Sequence, residues 1–307
     1  MTRSLHSDRR LVNLRCIQSF APTPVQCDWL LTGSRWSDYT CIHSPKEELV
    51  SSRPSSVLVP LPDREFDTTE SSIAWRAFVD AGIEVTFATE TGRVAACDQR
   101  LLRSGFFNWF PAGPEAVEAY RAMSSSPAFR SPITYRDIDP ADYDAVHLGG
   151  GHAQGMRQYL DSAVLRDRVL GFHQAEKLIG AICHGSLIPA RTIDPRTGAS
   201  IIEGRRFTTL TLPIEKFAFR STWFRVGRRY RTYWKYTETE VRQAVGPSGS
   251  IERGDTRFGA LGYSLVHDEP MVVEDGHFLS ARYPLDAPRY AEAFVRRLVA
   301  DRAAATP

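Results

Sequence analysis

Apolar and polar positions change rhythm along this chain, and the changes outline its elements. Residues 1–55 keep neither a 2.0 nor a 3.6 period and hold Pro22, Pro24, Pro45 and Pro54, so they read as an irregular amino-terminal extension. From Val57 the texture alters. Val57-Leu58-Val59-Pro60-Leu61 has strand length, Asp67-Thr68-Thr69-Glu70 opens a helix that stops at Ala81-Gly82, and Ile83-Glu84-Val85-Thr86-Phe87-Ala88 is a second strand. Such a strand-helix-strand unit predicts a right-handed crossover and parallel pairing.

The alternation continues. A helix is predicted over residues 114–124, a strand over Asp144-Ala145-Val146-His147-Leu148, a helix over 163–176, and a strand over Leu178-Ile179-Gly180-Ala181-Ile182 that runs into Cys183. A short strand over 205–211 and a helix over 238–245 follow. Then come a hairpin within 271–279 that turns at Asp275-Gly276 and a closing amphipathic helix over 288–301. The pattern predicts an α/β fold: a doubly wound, flavodoxin-like, mostly parallel sheet with helices on both faces, whose ligand lies outside the carboxyl ends of the strands. The domain then spans residues 56–303. Residues 220–236 interrupt the pattern, being basic and aromatic without one acid. We expect residues 218–262 to form an inserted helical and aromatic lid or interface segment.

Composition narrows the function classes. In 307 residues, 38 Lys and Arg stand against 36 Asp and Glu, so global charge supplies no attraction to nucleic acid or to an anionic membrane. Five cysteines with neither a repeating spacing nor a C-x-x-C pair predict no disulfide framework and no zinc site. Without a signal-like apolar stretch, the expected setting is the cytoplasm. His147, His152 and His173 have no ligand spacing and read as structural, so neither a metal nor a cofactor is expected.

Chemistry gathers around Cys183. An apolar strand that stops at Cys183-His184-Gly185-Ser186 has the outline of a nucleophile elbow, in which the reactive side chain sits on a strand-to-helix turn beside a free backbone N–H. The following helix then favours thiolate and lowers the thiol pKa. The competing reading is an inert core cysteine. His184 cooperates with Cys183 only on such a turn, and otherwise bonds locally. Gly149-Gly150-Gly151-His152 follows the third strand, so Gly150 or Gly151 supplies a second oxyanion N–H beside that of His184, or else forms a plain turn. Glu70 either points at the same sheet edge or caps its helix.

Taken in order, residues 57–61, Glu70, Ala81-Gly82-Ile83-Glu84-Val85, Asp98, Asp142-Tyr143-Asp144, Gly150-Gly151-His152, Ala181-Ile182-Cys183-His184-Gly185, Gly198 and Ile202-Glu203-Gly204-Arg205 resemble the ThiJ/PfpI family. This family has the class I glutamine-amidotransferase-like fold. The larger branch, with glutathione-independent glyoxalases and heat-shock holding chaperones, is the most similar. The resemblance implies a nucleophile at Cys183, a histidine partner at His184, a carboxylate at Glu70 touching the thiol, and Glu215 as the acid that orients the histidine. Ser186 and Ala153 depart from the branch, which commonly has proline and glycine there.

The expected activity is that of a lyase or hydrolase acting on a small reactive carbonyl, converting methylglyoxal to lactate. The alternatives are a redox-sensing stress protein or holding chaperone, and a hydratase or hydrolase of C–N bonds such as an isonitrile hydratase. By family analogy the expected partner is a second copy in a homodimer. Nucleic-acid binding by residues 220–236 ranks below a lid or a subunit contact, and no membrane partner is expected.

Overall fold

The computed structural model describes residues 53–103, 111–254 and 269–305. The expected extension over 1–55 lies outside these except for its last three residues. The described chain begins with β1 (Ser56–Pro60), α1 (Thr68–Asp80), β2 (Glu84–Thr89), α2 (Pro114–Ser125) and β3 (Ile133–Thr134). It continues through β4 (Ala145–Leu148), α3 (Ala163–Gln174), β5 (Leu178–Ile182), α4 (Leu187–Arg191), α5 (Leu212–Val226) and α6 (Thr237–Val245). The hairpin β6 (Val272–Asp275) and β7 (Phe278–Ala281) and the long helix α7 (Ala287–Ala305) close it.

Seven strands form one sheet in the order β6-β7-β5-β4-β1-β2-β3, and only β6 and β7 pair antiparallel. β1, β4, β5 and β7 are buried along their whole length, which is why they read as continuous apolar runs instead of alternating ones. α1 packs between α2 and α7 in one helical layer, while α3 packs on β4 and β5 and against α4 in the other. Among the described residues no helix is long and apolar enough to cross a membrane.

The chain runs outward from β1 to β2 and β3, then returns to place β4 on the other side of β1. Winding direction therefore reverses between β1 and β4, and a crevice opens there at the carboxyl ends.

Three details differ from the sequence reading. The hairpin turns at Gly276-His277, because Asp275 still pairs with Phe278 and gives its carboxylate to the Arg206 N–H at 2.8 Å. The strand expected over 205–211 is only Arg206–Phe207, paired with Ser250–Ile251 outside the main sheet. It stops there because the Thr208 hydroxyl turns to Glu252 O and Thr209 turns to the elbow. The segment expected from residue 218 begins inside α5, a helix that starts at Leu212, and its residues 255–262 lie outside the described ones.

Gly180 in β5 shows how tightly α7 seats. A Cβ there would collide with the Tyr290 hydroxyl and the Phe294 ring, both fully buried. Gly180→Ala is therefore expected to cost about 1–3 kcal/mol. In urea denaturation this reads as a lower midpoint at unchanged slope; an unchanged midpoint would mean that α7 does not pack on β5 in this way.

Candidate active site

Three adjacent strands, β1, β4 and β5, deliver the site from their carboxyl ends. β5 ends at Cys183, whose φ of +58° is rare for a residue with a side chain and marks the sharp turn of an elbow. The next residues form a short 3-10 turn, Cys183–Ser186, that passes into α4. Gly185 permits this close approach, since a Cβ there would strike the carbonyl oxygens of Leu148 and Gly149 on β4's exit loop. The Ser186 hydroxyl donates to Cys183 O at 2.6 Å and meets the Thr209 hydroxyl, so the turn is tied down from below.

β1 leads into α1, where Asp67 is the N-cap and accepts from the Thr69 and Glu70 N–H groups at 2.8 and 3.0 Å. Because Asp67 does the capping, the Glu70 side chain is free to reach across. Its Oε2 accepts the Gly150 N–H at 2.7 Å, and Oε1 is buried without a hydrogen-bond partner while the carboxyl interacts with the Cys183 thiol. The same glycine accepts the Asp67 N–H at 2.9 Å through its carbonyl. Gly150 is thus held at both ends by α1. A side chain there would meet His184 N, Glu70 Oε2 and Cys183 Cβ within 2.9 Å.

His184 Nδ1 lies 3.6 Å from Cys183 Sγ, and Nε2 lies 3.7 Å from Glu215 Oε1. Glu215 sits in the first turn of α5, and its other oxygen accepts the Thr237 N–H at the start of α6 at 2.8 Å. The carboxylate therefore bridges two helices and faces the imidazole between them. Arg231 approaches the same Oε1 at 3.8 Å, with its guanidinium carbon 3.6 Å from the Tyr236 ring centre. On the far side the His152 ring stands edge-on to His184 at 4.9 Å between centres. Tyr230 packs beyond His152 and donates its hydroxyl to Asp98 at 2.8 Å.

Burial sets the proton inventory. Cys183 has no exposed surface, and burial, followed by the charges of Glu70 and Asp67, pushes its thiol well above the usual range. The same burial, reinforced by Asp67, pushes Glu70 well up, and Asp67 itself is raised to about 6, chiefly by burial. Glu215 goes the other way: burial raises it, but the hydrogen bond and charge of His184, the Thr237 N–H and His152 together hold it below the usual carboxylate range. His152 is lowered to about 3 by burial and by His184.

The structure brings Cys183, His184, Glu70 and Glu215 together, and it places the Gly150-Gly151 loop against them. Two expectations are corrected. The thiol is neither exposed nor shifted down: a short turn's dipole is outweighed by burial and by two carboxyl groups delivered from α1. Gly150 is not a free oxyanion donor, because its N–H is committed to Glu70, which leaves Gly151 and His184. His152, read from the sequence as structural, lies at the site, and two further residues there were missed: Arg231 and Tyr230 were submerged in the basic aromatic segment, where nothing singled them out.

Comparisons with known proteins bear on the family and the fold. The chain is 27% identical over 139 residues to glyoxalase 3 of Candida albicans, covering 45% of this chain and 56% of that protein. It is 35% identical over 113 residues to the uncharacterized protein C14C4.04 of Schizosaccharomyces pombe, covering 36% and 42%. The chain spans about half the length of the curated relatives it matches. The crystal structure of Candida albicans glyoxalase III superposes with a TM-score of 0.58 at 20% identity, covering 79% of this chain and 96% of that one. The Francisella tularensis rapid encystment protein of 24 kDa superposes at 0.55 with 17% identity, covering 80% and 99%. At such identities these superpositions speak for the fold. A family model described as ThiJ/PfpI family-like matches residues 61–245, more than half of the chain, and takes in α1, the glycine loop and the elbow alike, so this protein belongs to the ThiJ/PfpI-like family.

Proposed function

We propose that this protein is a cysteine-dependent, glutathione-independent glyoxalase that adds water to methylglyoxal, in sum, to give lactate. The observation that carries the reading is the chain of contacts from Glu70 to the Cys183 thiol, to His184 Nδ1 and through its Nε2 to Glu215. The names of the glyoxalase relatives support the substrate class.

The resting thiol is protonated, so attack on the aldehyde carbon is coupled to loss of the S–H proton. His184 takes that proton at Nδ1, with Glu215 opposite to steady the imidazolium, and returns it to the carbonyl oxygen, giving a hemithioacetal. The Gly151 and His184 N–H groups stabilise the oxyanion on the way. Glu70, once ionised, removes the C1 proton while His184 protonates the C2 oxygen to form an enediol; Glu70 then delivers its proton to C2 as His184 takes back the proton of the C1 hydroxyl, leaving a lactoyl thioester. Water then releases lactate and restores the thiol. A carboxyl raised by burial is suited to this shuttle because its basicity lies closer to that of the carbon acid. Since Cys183 is sealed, substrate reaches it only when part of the surrounding wall moves.

The exposed aromatic side chains Trp223, Phe224 and Trp234, at 48, 66 and 73% exposure, favour a second reading as a holding chaperone. Selective redox sensing is disfavoured, since the thiol lacks both the exposure and the low pKa that it requires.

In glutathione-free assays, Cys183→Ala is expected to lower methylglyoxal turnover by about 10³-fold or more, and Glu70→Gln by roughly 10²–10⁴-fold. Equal turnover by wild type and Cys183→Ala would overturn the reading. Asp67 raises Glu70, so Asp67→Asn, which keeps the cap, is expected to move the acid limb of the pH–kcat/KM profile to lower pH; a shift to higher pH would contradict the role given to Glu70. A heated client protein should aggregate less in the presence of the wild type than of the Trp223→Ala, Phe224→Ala, Trp234→Ala triple variant, and equal light scattering would dismiss the chaperone reading.

A further inference from the structure

We propose that His152, Cys183 and His184 form a thiolate and bis-imidazole site for a borderline-soft divalent cation of the Zn²⁺ class, and that occupation caps the thiol. One ligand atom from each residue lies within 4.8 Å of the others, and Cys183 Sγ to His184 Nδ1 is 3.6 Å. Around tetrahedral zinc, sulfur and nitrogen ligands stand roughly 3.3–3.6 Å apart. The Cys183 and His184 atoms already have that spacing, and closing the set asks for a small approach by His152, which follows the glycine loop.

Independent observations point to a ligand. His152 Nδ1 is sealed from solvent without a hydrogen-bond partner, an unfavourable state for a buried polar atom. Glu215 lies behind His184 Nε2 at 3.7 Å, the placement of the carboxylate in carboxylate–histidine–metal groupings, which leaves Nδ1 for the cation. One sulfur and two imidazoles select zinc, copper or cobalt over magnesium or calcium. His152 is the one residue of the three that is not fully buried.

The binding step involves no oxidation. The S–H bond breaks, the sulfur donates its electron pair to the cation, each imidazole donates a nitrogen lone pair, and one proton leaves to the buffer. The site rests on this geometry and not on the glyoxalase reading, and its readouts do not require turnover.

The full chain is titrated with Co²⁺, followed by thiolate-to-cobalt charge-transfer absorption, and then with Zn²⁺ as competitor. Expected are saturation at one equivalent, displacement by Zn²⁺, loss of the band in Cys183→Ser, and a tenfold or greater loss of affinity in both His152→Ala and His152→Gln, with circular dichroism to show that the variants fold. One equivalent of Zn²⁺ should also protect the Cys183 peptide from alkylation in wild type but not in the His152 variants. Absence of the band, or affinity unchanged in both His152 variants, would overturn the site. Binding that survives Cys183→Ser but is lost in His277→Ala would overturn it too, assigning the metal to His173 and His277, whose Nδ1 and Nε2 atoms stand 3.0 Å apart. Failure of metal-free methylglyoxal turnover would count against the proposed enzyme alone.

Discussion

The bond from the Gly150 N–H to the Glu70 carboxylate organises this site. It joins the exit loop of β4 to the first turn of α1, and the return bond from Asp67 N to Gly150 O locks that junction from the other side. With α1 fixed against the loop, Glu70 is presented to the thiol and Asp67 is buried behind it. With the loop fixed, β5's elbow has one place to go, because Gly185 passes directly over the Leu148 and Gly149 carbonyls. The order β5-β4-β1 thus becomes the spatial order of thiol, glycine loop and carboxyl. Lengthening either strand by a residue would turn a side chain to the opposite face and separate the group from its partner.

Burial has two consequences that act together. It raises the thiol and the Glu70 carboxyl, favouring the protonated form of both. It also strengthens the one strongly polarised contact in the cluster, between His184 and a Glu215 carboxylate held below its usual range. The site is therefore asymmetric, with proton-rich groups on the α1 side and an anionic carboxylate on the α5 side. The thiol lies between them, with the His184 imidazole on one side and the Glu70 carboxyl on the other. Basic and aromatic residues after α5 complete the enclosure: Arg231 shares Glu215, and Tyr230 closes over His152.

Much of this was legible in residue order, and what was not has a physical cause. β1, β4 and β5 were readable because strands buried on both faces leave uninterrupted apolar runs. The elbow was readable because an apolar strand stopping at Cys183-His184-Gly185 has few other uses for that glycine. Glu215 came from resemblance, since a helix's first turn attracts acids for many reasons. The burial of Cys183 was illegible because the groups that enclose it arrive from α1, the β4 loop and the segment after α5. The sign of its pKa shift followed from that burial. β3 escaped notice because two residues make no pattern, and the commitment of Gly150 N–H to Glu70 depends on a side-chain direction that spacing does not encode.

The central claim is that carbonyl chemistry passes through a covalent bond to the sulfur of Cys183. Rapid quenching during methylglyoxal turnover, followed by peptide mass spectrometry, tests it most directly. The account predicts a transient adduct of substrate mass on the Cys183 peptide that disappears as lactate accumulates. Turnover that proceeds with Cys183 never modified, or with adducts confined to lysine and arginine side chains, would contradict it.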